Sequence, residues 1–152
     1  MFKVKAGSLE EYFAFDPARE ADLRAIDELI RAAAPSLERW FVTGTPDGQP
    51  GMNMKMIGYG QFQYTVKSSD VPIVWPILGL ALQKNYLSLY NCANREGEEP
   101  FTLAYAGRLG RAKVSVRGFV TFTGPSGINL EALTEMITAI ESGLKSGQLT
   151  VS

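Results

Sequence analysis

Residues 82–92 read Leu-Gln-Lys-Asn-Tyr-Leu-Ser-Leu-Tyr-Asn-Cys, a stretch that indicates a turn leading into a β-strand. Polar and aromatic side chains alternate in it with Leu87 and Leu89, which is the period of a strand. One strand face would then carry Tyr86, Ser88, Tyr90 and Cys92. The same alternation returns between Arg111 and Thr123, so the sequence predicts an antiparallel sheet that buries one of its faces.

Helical patterns flank these strands. Ser8 and Glu11 have the spacing of a capping box, and a longer helix is predicted to start at Asp16 and Pro17 and to stop before Pro35. Further helical segments are predicted over residues 36–41, over residues 101–109 and from Asn129 onward, the last ending at Gly143 or Gly147. Residues 43–51 have the composition of a turn-rich loop.

From Met52 the pattern predicts two strands separated at Ile57-Gly-Tyr-Gly60, then a hairpin of residues 71–82 and 86–91, and finally one strand over residues 111–123. The predicted fold is therefore α+β, an antiparallel sheet of about five strands with N-terminal and C-terminal helices packed on it. A length of 152 residues fits a single domain, 1–152.

Composition excludes several classes of function. The 15 Lys and Arg nearly balance 16 Asp and Glu, and a net charge of −1 gives no general field for a nucleic acid. The N-terminus lacks the apolar run of a secretory signal, so we expect a cytoplasmic protein. Pro72, Pro76 and Gly79 interrupt the apolar segment 71–82, so no membrane partner is expected either.

The chain contains no histidine and one cysteine, Cys92. Imidazole-dependent nucleophile pairs and metal sites are therefore excluded, as are an intramolecular disulfide and a multi-thiolate site. Cys92 is either a reactive thiol or a small buried hydrophobe. No catalytic constellation is evident, and we expect neither enzymatic activity nor a cofactor.

Two groups of residues are candidates for a binding site. The first is a row of cations and a hydroxyl on the predicted strand 111–121, suited to a carboxylate or phosphate group: Arg111, Lys113, Ser115 and Arg117. The second could line a pocket and orient a ligand through its polar tips: Trp75, Tyr59, Tyr86, Tyr90 and Lys55. The alternatives are a solvated sheet face for the first group and ordinary core packing for the second.

A third group consists of acids on the first long helix, Asp22, Asp27 and Glu28, which could hold a hard cation. Arginines alternate with them along the helix. A salt-bridged solvent face is the alternative interpretation.

Several of these segments resemble the YdhG-like family, small bacterial domains of unknown function. The resemblance rests on Lys84-Asn-Tyr-Leu-Ser-Leu-Tyr90, on Gly110-Arg-Ala-Lys-Val-Ser-Val-Arg117, on the following amphipathic helix and on the Met56-Ile-Gly-Tyr-Gly60 turn. It implies an α+β domain without established enzymatic activity, and some members have been likened to frataxin-type iron chaperones. Tyr86 stands where many relatives carry histidine, and an acidic ridge is missing, so iron handling is disfavoured for this chain and remains only an alternative.

Three hypotheses follow from the sequence. The first is a non-catalytic module that binds a small anionic ligand between the aromatic strand and Arg117. The second is a protein-interaction domain that associates through an exposed sheet face or edge, with a homodimer as the expected partner. The third, disfavoured by the missing histidines, is metal handling by carboxylates.

Overall fold

The computed structural model describes residues 2–45 and 53–152, and these residues form an α+β fold, as predicted. The helices are α1 (Leu9–Ala14), α2 (Glu20–Ala33) and α3 (Leu130–Ser146). The strands are β1 (Arg39–Val42), β2 (Met56–Val66), β3 (Ser69–Leu82), β4 (Leu87–Asn91), β5 (Ala93–Asn94), β6 (Lys113–Val114), β7 (Val120–Phe122) and β8 (Thr150–Val151). The predicted strand start at Met52 and most of the predicted loop 43–51 lie outside the described residues.

In the described part, six strands form one antiparallel sheet in the order β1-β2-β3-β4-β7-β6. This is one strand more than the five or so that the sequence suggested. β5 and β8 pair separately as a two-stranded ribbon. The predicted hairpin of residues 71–82 and 86–91 is present as β3 and β4, with Leu82 opposite Leu87.

The three helices cover one face of the sheet, where the larger hydrophobic core lies. Helix α2 contributes Leu23, Ile26 and Ile30, and α3 contributes Leu133, Met136, Ile137 and Ile140. These helix residues pack against strand residues whose side chains lie on the face away from Tyr90, such as Ile57, Leu80 and Leu89. The apolar side chains of the helices and the apolar side chains of one strand face therefore pack into a single core, as their amphipathic patterns predict.

The helix ends follow the local sequence signals in most cases. The Ser8 side chain accepts a hydrogen bond from the Glu11 N–H at 3.1 Å, and Asn129 accepts from Ala132 at 3.0 Å. Gly147 ends α3 with φ of +82°, a conformation that glycine adopts without strain. Helix α2 begins later than predicted because Asp16 accepts hydrogen bonds from the Ala18 N–H and the Arg19 side chain and holds a turn before the helix.

Three other predictions of local structure were wrong. Residues 39–42 form edge strand β1 rather than part of a helical turn, because they pair with the strand segment 56–59. Strand β2 continues through residues 57–60 without a break. Residues 111–123 form a hairpin instead of one strand: the Ser115 N–H donates to the Phe119 carbonyl at 2.8 Å, and Gly118 takes φ of +91° in the turn.

Strands β2 and β3 extend beyond their neighbours in the sheet as a two-stranded projection, residues 61–66 and 69–76, which we call the arm. Within the described chain β1 pairs with β2 only as far as Tyr59, and β4 pairs with β3 only from Leu78 onward, so the arm strands pair with each other alone. Gly60, with φ of +70°, marks its base. From the arm, Trp75 joins Val42, Met56 and Ala81 in a smaller hydrophobic cluster.

Candidate functional site

A groove of about 570 Å³ lies at the N-terminal end of the structure, and we call it the N-terminal groove. Its walls are the N-terminal segment before α1, the residues that lead into β2, and the end of β3. The lining residues in the described chain are Phe2, Lys3, Val4, Lys5, Asn53, Met54, Lys55, Leu82, Gln83 and Tyr90. Two of the predicted site residues, Lys55 and Tyr90, therefore meet in one cavity.

The charge of the N-terminal groove is positive. Among its described lining residues three are lysines, Lys3, Lys5 and Lys55, and none is acidic. Not one of these lysines forms an ion pair with a residue of the described chain. Three lysines without an ion pair in the described chain, two of them exposed, give this surface a positive local potential that attracts an anion, although the whole chain is almost neutral.

The floor of the groove is apolar and its polar contacts are few. Val4 and Leu82 are buried, and Phe2 and Met54 are half-buried. The Gln83 side-chain amide donates to the Tyr90 hydroxyl at 3.2 Å. The phenolic proton of Tyr90 is then directed elsewhere and is available to a bound acceptor. Apolar walls with a few polar groups are typical of small-molecule sites.

Tyr12 of α1 connects two walls of the groove, the end of β3 and the residues that lead into β2. Its buried hydroxyl accepts a hydrogen bond from the Leu82 N–H at 2.8 Å and donates to the Lys55 carbonyl at 3.3 Å. Burial raises the pKa of Tyr12 to about 12, so the phenol remains protonated and can make both contacts. The position of Lys55 is therefore tied to the helix layer.

A line of three side chains leads away from the groove along the second face of the sheet. The Phe119 ring contacts the Tyr90 ring edge-on, with 4.8 Å between centroids, and the Arg117 guanidinium lies 5.4 Å from the centre of the Phe119 ring. Arg117 is exposed at the β6–β7 turn. The structure therefore brings Arg117 near Tyr90, but outside the groove and through an intervening aromatic ring.

The other members of the predicted cation row are separated by the hairpin. The Arg111 guanidinium donates to the Ser126 carbonyl at 3.1 Å, away from this line. The Ser115 hydroxyl accepts from the Phe119 N–H at 3.0 Å, so it organises the turn. Lys113 is exposed on β6 opposite Thr121, which faces the same side as Tyr90.

The remaining aromatic candidates do not lie in the groove. Tyr59 is fully buried in the main core, where its hydroxyl donates to Asp27 at 2.7 Å, and both burial and Asp27 raise its pKa well above the ordinary value. Tyr86 is exposed in the turn, and its carbonyl accepts from Arg19. Trp75 lines another cavity, of about 400 Å³, between the arm and the end of β1. The predicted single aromatic pocket was therefore wrong for these three.

The alternative chemistries concern Cys92 and the acids of α2. Burial raises the pKa of the Cys92 thiol to about 11, which disfavours the reactive thiolate. Asp27 is bound by Tyr59 and by Arg39 at 2.7 Å, so its carboxylate is already compensated. Within residues 2–45 and 53–152 there is no group of three or more acidic or thiol side chains placed to hold a metal ion.

Lys3 and Lys5 belong to the groove but were not among the predicted site residues. The signal for them is the alternation Phe2-Lys3-Val4-Lys5, which places two apolar side chains toward the protein and two lysines toward solvent if the segment is extended. Four residues are too short a pattern to predict a strand. Their proximity to Lys55 depends on the tertiary packing of Val4 into the core.

No helix in the described part of the chain is long and apolar enough to cross a bilayer. Comparisons with known proteins do not identify the chain: no family model matches it, and neither a curated protein nor a solved structure shows significant similarity to it.

Proposed function

We propose that the protein is a non-catalytic module that binds a small anionic ligand in the N-terminal groove. The observation that carries this proposal is that Lys3, Lys5 and Lys55, which form no ion pair within the described chain, line one concave surface with an apolar floor.

The chemistry of the groove defines the kind of ligand. Lysine ammonium groups are compact point charges without the planar fork of arginine, so they suit carboxylate, sulfonate or phosphate groups in several orientations. Phe2 and Met54, which are half-buried in the lining, would pack against an apolar body beside that charge. We therefore expect an amphipathic anion, with an aromatic or aliphatic part, rather than a simple inorganic ion.

A matched pair of probes tests the proposal. Biphenyl-4-carboxylate should bind the protein and raise its melting temperature, because a ligand that binds only the native state stabilises it. Biphenyl-4-carboxamide, which has the same rings without the charge, should bind more weakly. Isothermal titration calorimetry and the thermal shift give the two affinities, and equal affinity of the acid and the amide contradicts an anion site.

Variants of the groove locate the binding. Lys55→Gln and Lys3→Gln should each raise Kd by up to about fivefold, since an exposed ion pair contributes about 0.2–1 kcal/mol. Lys145→Gln removes the same charge from α3, outside the groove, and should leave Kd unchanged. If Lys145→Gln weakens binding as much as Lys55→Gln, the effect is one of net charge and the groove is not the site.

Self-association is the second candidate function, and the exposed apolar side chains of the arm favour it. Val71 is 66% exposed and Val74 is 40% exposed. Neighbouring side chains of the arm, Gln61, Gln63 and Thr65, are exposed and uncharged, so nothing in that row opposes pairing with a second copy.

Sedimentation velocity at micromolar to millimolar concentrations tests this candidate. A dimer through the arm should be lost in Val74→Lys, which places a charge in the contact. Val116→Lys serves as the control, because Val116 is 85% exposed in the β6–β7 turn, distant in sequence from the arm. A parent protein that remains monomeric throughout excludes the candidate.

A further inference from the structure

We infer that Arg117 is a second anion subsite beside the N-terminal groove, so that the ligand carries two anionic groups joined by a rigid apolar body. This inference rests on the proposed function and adds to it the shape of the ligand. It comes from the contiguity of the groove with the Tyr90–Phe119–Arg117 line, none of whose members is paired with an acid in the described chain.

The distances between these three side chains limit how far the second anionic group lies from the groove. Tyr90 lines the groove, its ring lies 4.8 Å from Phe119, and the Arg117 guanidinium lies 5.4 Å from the same Phe119 ring. Two contacts in series keep the Arg117 guanidinium within about 10 Å of the Tyr90 ring. A ligand that packs on the Tyr90 ring in the groove and places a second anionic group at Arg117 therefore spans at most about 10 Å between these two points, roughly two aromatic rings.

The Arg117 guanidinium is positioned by its neighbours but forms no ion pair in the described chain. Its guanidinium is held against the aromatic face of Phe119, which limits its freedom without using its hydrogen-bond donors. The Ser115 hydroxyl accepts from the backbone N–H groups of residues 117 and 119 and so fixes the turn that carries it. A stacked guanidinium with free donors can form a bidentate contact with a carboxylate or phosphate group.

Arg117 differs in this respect from the other guanidinium groups near it in sequence. Arg111 donates to the Ser126 carbonyl, and Arg108 is paired with Glu135. Lys113, exposed on the same sheet face as Tyr90 and Phe119, adds a further positive charge close to the second subsite. The local field therefore continues from the groove to the β6–β7 turn instead of ending at Tyr90.

The experiment compares biphenyl-4-carboxylate with biphenyl-4,4′-dicarboxylate, whose carboxylates lie at opposite ends of the same rigid ring pair. The dicarboxylate should bind the parent protein roughly three- to fivefold more tightly than the monocarboxylate, as one additional exposed ion pair allows. Arg117→Gln should abolish that gain, so that the variant binds the two acids with similar Kd. Arg111→Gln, which removes a guanidinium of the same hairpin region, should retain the gain.

The outcomes separate this inference from the proposed function. If the monocarboxylate binds in a Lys55-dependent manner and the dicarboxylate binds no better, or if its gain survives in Arg117→Gln, the second subsite is refuted and the groove stands. If neither acid binds the parent protein, both proposals fail. Circular dichroism and the melting temperature of Arg117→Gln without ligand show whether the turn has kept its fold.

Discussion

A single carboxylate joins helix α3 to the segment that follows helix α2. Glu141, on α3 and only 8% exposed, accepts from the Ser36 N–H at 2.8 Å and from the Ser36 hydroxyl at 2.6 Å, and Lys145 lies 3.6 Å away. Burial alone would raise the pKa of Glu141, but these hydrogen bonds and the ammonium group outweigh it and lower the pKa. The ionised form is therefore the one that the native state stabilises.

This contact gives the protein a pH-dependent stability. Because the folded pKa of Glu141 is lowered, its contribution is complete above the ordinary pKa of a glutamate and is lost as the pH falls through the folded value. At pH 7, Glu141→Gln should lower the free energy of unfolding by about 1.5–3 kcal/mol, the range for hydrogen bonds to a charged group. The difference from the parent should shrink as the pH falls below the ordinary glutamate value.

Urea denaturation of both proteins between pH 7 and pH 3 measures that difference. Ser36→Ala removes the hydroxyl donor from the opposite side of the contact and should cost less in the Glu141→Gln background than alone. A difference between parent and Glu141→Gln that stays constant over this pH range would show that the ionised carboxylate is not what stabilises the contact.

At the scale of the elements, apolar side chains on the helices α2 and α3 differ in the fraction of their surface that is buried. Ile137 of α3 is fully buried against the sheet, whereas Leu29 of α2 is only partly buried at the margin of the same cluster. The sequence pattern places both on apolar stripes with helical spacing. Periodicity identifies the face of a helix but does not show where the neighbouring element ends.

Two alanine substitutions check this distinction. Ile137→Ala should lower the free energy of unfolding by about 2–5 kcal/mol, because it removes a buried side chain and leaves a cavity. Leu29→Ala should cost clearly less, since part of its surface is already exposed to water. Denaturant midpoints provide the comparison, and an equal loss in both variants would mean that Leu29 is as deeply packed as Ile137.

Strand alternation was a reliable guide to faces and a poor guide to connectivity. It placed Leu87 and Leu89 opposite Tyr90, and the structure agrees. It also joined residues 111–123 into one strand, although Gly118 turns the chain there. Lys113 and Phe119 lie on the same face whether residues 111–123 form one strand or a hairpin, because odd-numbered residues stay on one side in both. The alternation therefore cannot distinguish a strand from a short hairpin.

At the scale of the whole molecule, the fold class could be predicted from the sequence, but the candidate site only in part. Lys55 and Tyr90 were predicted, and Lys3 and Lys5 join them because Val4 enters the core and Tyr12 ties Lys55 to Leu82. Tyr59 was assigned to the site because tyrosines on strands have the same spacing in a pocket as in a core. Its carboxylate partner, Asp27, lies 32 positions earlier in the chain, and no local pattern connects them.

The arm has a consequence for how the protein can be observed. Both tryptophans of the chain, Trp40 and Trp75, line the cavity between the arm and the end of β1. Neither belongs to the helix-covered core. Indole fluorescence therefore reports the second face of the sheet, while far-ultraviolet circular dichroism is dominated by the helices on the first face. The two signals act as separate spectroscopic reporters, and their unfolding curves coincide only when both layers melt as one cooperative unit.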